Sequence, residues 1–594
     1  MSVSLCGIDS GIVFPSGVVV VAWGVCATAG ATVVACICKK LRNTRAGSYK
    51  DLLKTSAISL EHSFIFASRQ PSACPYTILT NREPPADSNH TTCRIFGVCK
   101  HSVCEPIATV IHNQEQDLMV TLSSFRSFRL ANLLTVMAVV VASHVPVKRI
   151  AAQSAPKVKI NFTESTLPNG LHVIYAIDRT TPVIAVEMMY NVGSKSEQMG
   201  RTGFAHLFEH MMFKGSRNVA DGQHGALLDK AGARTGTDYN ETTTWDRTNY
   251  FEQLPSNQLE LALFLESDRM GTLLETLTQE KLDNQREVVK NERRQSNDNQ
   301  PYGSWLEKMQ LNGFPNGHPY QHSVIGSMQD LSAATIDDVK NFFKTYYAPN
   351  NAVLVIAGDF DQANASALVT KYFGGIPRGP AVPVQRSMTA PAIIGQPYRE
   401  VVNDPLAPAP RVYVGYRVPA AKDKSGPAVT LLSGILAGGS ASPLYKSLVR
   451  EQQIATSVGG FNLGLVDGAD MLVFIASGKP GSDPKALEDA LLAELDKASA
   501  MIDQKGLDRE RAGQRFQFVN GLQTTGGFGG IADQLAEGYT YYKNPARVNN
   551  TLALYDAVTV AQLKAIAAQR IVPNNRVTLV YVPAKKAATN GGTN

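Results

Sequence analysis

Two stretches of this chain repeat one pattern of apolar and polar positions. From Thr335-Ile336 onward the apolar residues recur at helical spacing, up to a Pro349-Asn350-Asn351 turn and a strand-like run, Ala352-Val353-Leu354-Val355. Thr559-Val560 begins the same series, which passes through Pro573-Asn574-Asn575 and ends in Arg576-Val577-Thr578-Leu579. The copies lie 224 residues apart, and the same offset carries Gly215-Ser216 onto Gly439-Ser440. Two matches at one offset predict an internal duplication, with each copy a domain of ordinary size. Strands and long helices come in runs rather than in strict βαβ alternation, which predicts an α+β fold. The expected domains are 160–376 and 398–585, joined by a Pro-rich connector, 377–397, of extended and semi-rigid composition. A tail, 586–594, is expected to be disordered.

One short amphipathic segment carries the chemistry. In His206-Leu207-Phe208-Glu209-His210 the two histidines sit one helical turn apart, with Glu209 about 60° around the helix from His206. All three side chains fall within an arc of about 100°, a spacing from which two imidazoles can share a metal ion. Gly203 precedes the motif and Lys214-Gly215-Ser216 follows it, consistent with a short helix that has defined ends. This is the H-x-x-E-H pattern of zinc peptidases. Zinc lowers the pKa of the water it holds to about 7, so Glu209 is expected to act as general base on that water. A third ligand is still needed, and the polar helix 278–295 offers Glu287 and Glu292. These project about 140° apart, so both cannot face one ion, and spacing alone does not choose between them.

Here the chain resembles the pitrilysin-type metallopeptidases, which include bacterial zinc proteases and the catalytic subunit of mitochondrial processing peptidase. The resemblance rests on the H-x-x-E-H motif and the run Arg286-Glu287-Val288-Val289-Lys290-Asn291-Glu292, and it extends over about residues 161–583. It implies Glu292 as the third zinc ligand, one Zn2+ per chain, and two homologous domains that are each a mostly antiparallel sheet packed with helices. Gln285 stands where relatives often carry a glutamate supporting the ligands, and is expected to supply a neutral amide hydrogen bond instead. Asn191–Glu197 is similar to the loop before the active helix. Gly236–Asp246 is similar to the edge strand over the metal, where a substrate backbone would add as an extra strand. Asn240, Glu241 and Thr242 are the expected substrate contacts, Glu241 replacing a residue that is often small in relatives.

The implied activity is that of a zinc endopeptidase acting on peptides or unfolded segments, the alternative being a catalytically silent subunit for assembly or peptide binding. Carried across by 224 residues, the motif falls on Thr430, Ser433 and Gly434, and Glu292 falls on Phe516, so the second copy is expected to be inactive. Many relatives supply a catalytic Arg/Tyr pair from a domain without metal. The matching run here, Val449–Thr456, has Val449 and Thr456 at those two positions. The resemblance therefore implies a second homologous subunit that brings the pair, or a homo-oligomer.

Composition sharpens the picture at the N-terminus. The net charge of +6 over 594 residues includes no basic run interleaved with aromatics, so no nucleic-acid partner is expected. Thr524–Gly530 is glycine-rich and reads as a flexible loop, and no Lys-Ser/Thr follows it to make a phosphate cradle. All eight cysteines lie in the first 104 residues, in spacings that match no zinc pattern. Residues 11–38 form an apolar run with the length of a membrane span. From Met119, two arginines, the apolar run 130–142 and small residues up to Ala155 have the layout of a secretory signal peptide. The expectation is that Met119 is the true start, that 1–118 is a disordered upstream extension, and that 119–155 is a signal or anchor. The peptidase region would then be exported, periplasmic or membrane-anchored facing the periplasm, where its lack of cysteine leaves no disulfide to form.

Overall fold

A computed structural model describes residues 158–383 and 387–584, with only short strands described among the first 103 residues. Residues 1–149 and 150–594 are separate compact units. Within the apolar run 11–38 the described residues are strands, Ile12–Val13, Val19–Val25 and Val33–Cys38, the middle one pairing antiparallel with each of the others, rather than one helix. No described helix is long and apolar enough to cross a membrane. The signal-like segment and the tail 586–594 lie outside the described residues.

The second unit is built on two sheets. The first contains β1 (Thr163–Thr166), β2 (His172–Ile177), β3 (Val183–Tyr190), β4 (Tyr239–Thr243), β5 (Thr248–Pro255) and β6 (Ala352–Gly358), in the order β4-β5-β3-β6-β2-β1. The second contains β7 (Tyr398–Asp404), β8 (Arg411–Pro419), β9 (Ser457–Asn462), β10 (Ala469–Ser477) and β11 (Arg576–Pro583), in the order β7-β11-β8-β10-β9. Read from the other edge, that order matches the first sheet without β1. Each sheet has one parallel pair, β6 with β2 and β11 with β7, and is otherwise antiparallel.

The duplication holds down to single hydrogen bonds. Helices Ile336–Tyr346 and Val560–Arg570 both begin in capping boxes, Thr335 with Asp338 and Thr559 with Gln562. In each Pro-Asn-Asn turn the last asparagine donates back to the end of its helix, Asn351 to Tyr346 O and Asn575 to Arg570 O. The connector is pinned by both turns: Gly379 N donates to Asn350 Oδ1 and Ile394 N to Asn575 Oδ1.

The sheets also exchange helices. Trp305–Gly313, which precedes the connector, packs on β8 and β11 of the second sheet, while Ile531–Tyr542 packs on β3 and β6 of the first. Both faces of each sheet are thereby covered, and neither domain is closed without the other. The buried Lys195 pairs with the buried Asp246 (2.8 Å) and the half-buried Asp467 (2.9 Å), joining the domains near β4. The glycine-rich segment is held too: Gly526 N donates to Gln253 Oε1, and Phe528 meets Phe251 edge-on at 5.0 Å.

Candidate metal centre

The motif forms the helix Phe204–Met211, whose apolar residues Phe204, Leu207, Phe208 and Met211 are buried in the first domain's core. Its start is fixed by two features. Gly203 has φ +86°, and a Cβ there would lie 2.7 Å from Ile325 O, so only glycine fits. The buried Glu197 carboxylate accepts from Gly203 N (2.9 Å) and Ala205 N (2.7 Å), satisfying two backbone donors at the helix N-terminus.

The helix Gln279–Arg293 lies against the motif helix and brings Glu292 to the histidines. Glu292 Oε2 stands 3.6 Å from His206 Nε2 and 3.5 Å from His210 Nε2, and the two rings are nearly perpendicular. Donor atoms of the three residues all lie within 4.8 Å of one another, and no other such group occurs among the described residues. Two imidazole nitrogens and one carboxylate oxygen converging in this way fit a zinc ion with an open fourth position. Glu287 faces away, exposed and paired to Lys290 at 2.7 Å.

Burial lowers the pKa of His206 to about 4, keeping it neutral as a ligand must be. His210 moves the other way: burial opposes its protonation, but the hydrogen bond with Glu292 and the charge of Glu209 outweigh it. Glu209 is 5% exposed and is not among the three residues whose donor atoms converge. Burial pushes its pKa up to about 7, opposed by a hydrogen bond from Thr243 Oγ1 to Oε2 and by the nearby His210. A carboxyl poised near neutrality beside His206, His210 and Glu292 is suited to take and return a proton.

The expected supporting and substrate residues are arranged differently from the triad. Gln285 is buried on the helix that carries Glu292, but its amide nitrogen donates to Asn284 Oδ1, and among the described residues it makes no hydrogen bond to His206, His210 or Glu292. Seven residues separate it from Glu292, about 10 Å along the helix axis. β4 is the free edge of its sheet, and side chains alternate across it. Glu241 and Thr243 share the face that carries Glu209. Asn240 and Thr242 take the opposite face, where Thr242 Oγ1 donates to Asn249 Oδ1 at 2.6 Å. The Thr242 side chain is thus committed within the sheet and is not turned toward the triad.

In the second domain, Val429–Ile435 repeats the buried and half-buried sequence of Ala205–Met211 residue for residue, with Thr430 and Gly434 in the places of His206 and His210. Thr430 and Ser433 hydrogen-bond to their own helix. The Glu510 carboxylate fills the space that a side chain at Gly434 would need, and Phe516 is 71% exposed. Among the described residues this copy gathers no such set of donors.

Comparison with known proteins gives the same division. Residues 172–326 match the insulinase family (peptidase family M16), and residues 333–514 match the peptidase M16 inactive domain. The chain is 33% identical over 377 residues to the zinc protease PqqE of Helicobacter pylori, covering 63% of this chain and 83% of that one. It is 26% identical over 408 residues to the uncharacterized zinc protease ML0855 of Mycobacterium leprae, covering 68% and 88%. Among solved structures, a protease from Helicobacter pylori superposes with a TM-score of 0.66 at 28% identity, covering 72% of this chain and all of the other. The first half of the periplasmic protease PqqL from Escherichia coli shares the fold, with a TM-score of 0.57 at 19% identity, covering 72% and 93%. With both family models matched in this order and a relative of this identity, the chain belongs to the insulinase family of peptidases, M16.

Proposed function

We propose that this protein is a zinc-dependent endopeptidase for peptides or unfolded segments, with His206, His210 and Glu292 as ligands and Glu209 as general base. The observation that carries the reading is the convergence of both Nε2 atoms on Glu292 Oε2, with Glu209 beside them and outside the ligand set. A bound zinc would supply Lewis acidity toward the scissile carbonyl. Glu209 takes a proton from the attacking water and delivers it to the amide nitrogen as the C–N bond breaks. Thr243 holds the Glu209 carboxylate in place, and the free edge of β4 aligns the substrate backbone.

Completion by a second subunit belongs to the same reading. Val449 and Thr456 stand where an Arg/Tyr pair is expected, and Thr456 Oγ1 donates to Ser477 O at 3.1 Å. Arg450, one residue away, lies over the Tyr445 ring at 5.7 Å. A homologous subunit bearing the pair, or a second copy of this chain, would supply the missing donors to the transition state. Export to the periplasm follows the signal-like segment and the description of PqqL as a periplasmic protease. The test is zinc stoichiometry and peptide hydrolysis by the chain starting at Met119, alone and mixed with a homologous subunit. One zinc per chain and hydrolysis that rises on mixing are expected. Absence of zinc would overturn the peptidase reading, and full activity in a monomeric preparation would overturn the need for a partner.

A further inference from the structure

On the metal-facing side of β4, Tyr239, Glu241 and Thr243 follow one another at intervals of about 6.6 Å. Tyr239 is in the core and Thr243 donates to Glu209, which leaves Glu241 as the half-buried side chain between them. Its carboxylate accepts no hydrogen bond and forms no ion pair among the described residues; Arg269 and His210 act on it only through their fields. Arg269 is already engaged. It bonds to Glu266, stands 3.5 Å from Glu252, and lies over the Tyr250 ring at 4.3 Å and the Phe213 ring at 5.0 Å. His224, 3.5 Å from Glu252, is kept neutral by burial. One guanidinium therefore serves three carboxyl groups, and the one left without a bonded partner lies on the strand with a free edge.

A half-buried carboxylate without a partner is costly, and a cation arriving with the substrate relieves it through a charge-assisted hydrogen bond. We propose that Glu241 selects peptides with Lys or Arg at the position that lies against it when the backbone pairs with β4. That residue is two positions from the one opposite Thr243, on the same face of the added strand. The inference rests on the peptidase reading of the site. A neutral side chain at that position leaves Glu241 desolvated and unpaired, and an acidic one is repelled.

The test uses zinc-loaded full-length Glu209→Gln protein and fluorescent peptides in which one Lys is moved through each position of a neutral parent, with binding read by anisotropy. Wild-type protein is given the same peptides and its cleavage sites are read by mass spectrometry. Lys in one register is expected to tighten binding about tenfold, a gain of the size of one favourable charge contact. Adding Glu241→Gln is expected to erase that gain, and Glu241→Lys to transfer the preference to peptides with Glu in the same register. A Lys preference that is absent, or that survives Glu241→Gln, overturns the inference while cleavage of the parent keeps the peptidase reading. A parent peptide that is neither bound nor cut overturns both.

Discussion

Removing the Thr243 hydroxyl tests how Glu209 is tuned. Thr243→Val keeps the shape and β-branching of the side chain but deletes the hydrogen bond to Glu209 Oε2. Glu209 is 5% exposed, and burial is the main influence that drives its pKa upward, aided by the charges of Glu241 and Glu292, with Thr243 the largest opposing influence. A hydrogen bond to a charged group is worth about 1.5–3 kcal/mol. At 1.36 kcal/mol per pKa unit, its loss raises the Glu209 pKa by about one to two units. A bound cation lowers the starting value, but the difference between the two proteins remains. The assay is kcat/KM against pH for wild type, Thr243→Val and Thr243→Ser, in the preparation that hydrolyses peptides. The acid limb of Thr243→Val is expected to move up by about one to two units, with the rates converging above both limbs. Thr243→Ser, which retains the donor, should follow wild type. An unmoved limb, or a serine variant that behaves like valine, refutes the argument.

Three further outcomes follow from the geometry. Glu292→Ala is expected to reduce zinc well below one per chain, while Glu287→Ala, an exposed residue paired to Lys290 and turned away from the histidines, keeps full occupancy; equal losses would contradict the ligand assignment. Gly203→Ala forces a side chain into a left-handed backbone position against Ile325 O, and should cost at least about 1–3 kcal/mol, seen as a lower denaturation midpoint at unchanged slope. Glu187 is fully buried, and burial with Asp533 nearby raises its pKa well above the carboxylate range. Its proton is held more tightly folded than unfolded, so the stability it contributes is present below about pH 4.3 and is lost as pH rises toward the folded value. Wild-type Tm should fall between pH 5 and pH 9, and Glu187→Gln should flatten that fall; parallel curves would contradict it.

Much of the site was legible in the sequence because helical period places His206, Glu209 and His210 together without reference to the rest of the chain. Glu292 required the family resemblance, since geometry on one helix leaves Glu287 open until the second helix is in place. The Pro-Asn-Asn turns disclosed the duplication because such turns need particular residues, whereas the exchanged helices Trp305–Gly313 and Ile531–Tyr542 carry no sequence mark of which sheet they cover. Thr243 lay hidden in a threonine-rich strand. Period-two alternation separates Asn240 and Thr242 from Glu241 and Thr243, but only the packed sheet shows which pair faces the metal side. Glu197 was equally opaque, a carboxylate in a loop whose role depends on the buried backbone donors it meets.

The central claim, that Glu209 moves the proton and is no part of the metal site, is tested most directly by Glu209→Gln. Zinc content and peptide hydrolysis are measured on the same preparation of wild type and variant. The expected result is one zinc per chain in both, with turnover in the variant reduced by at least about a hundredfold. Retained turnover at full zinc occupancy would contradict the account, as would loss of the metal together with activity.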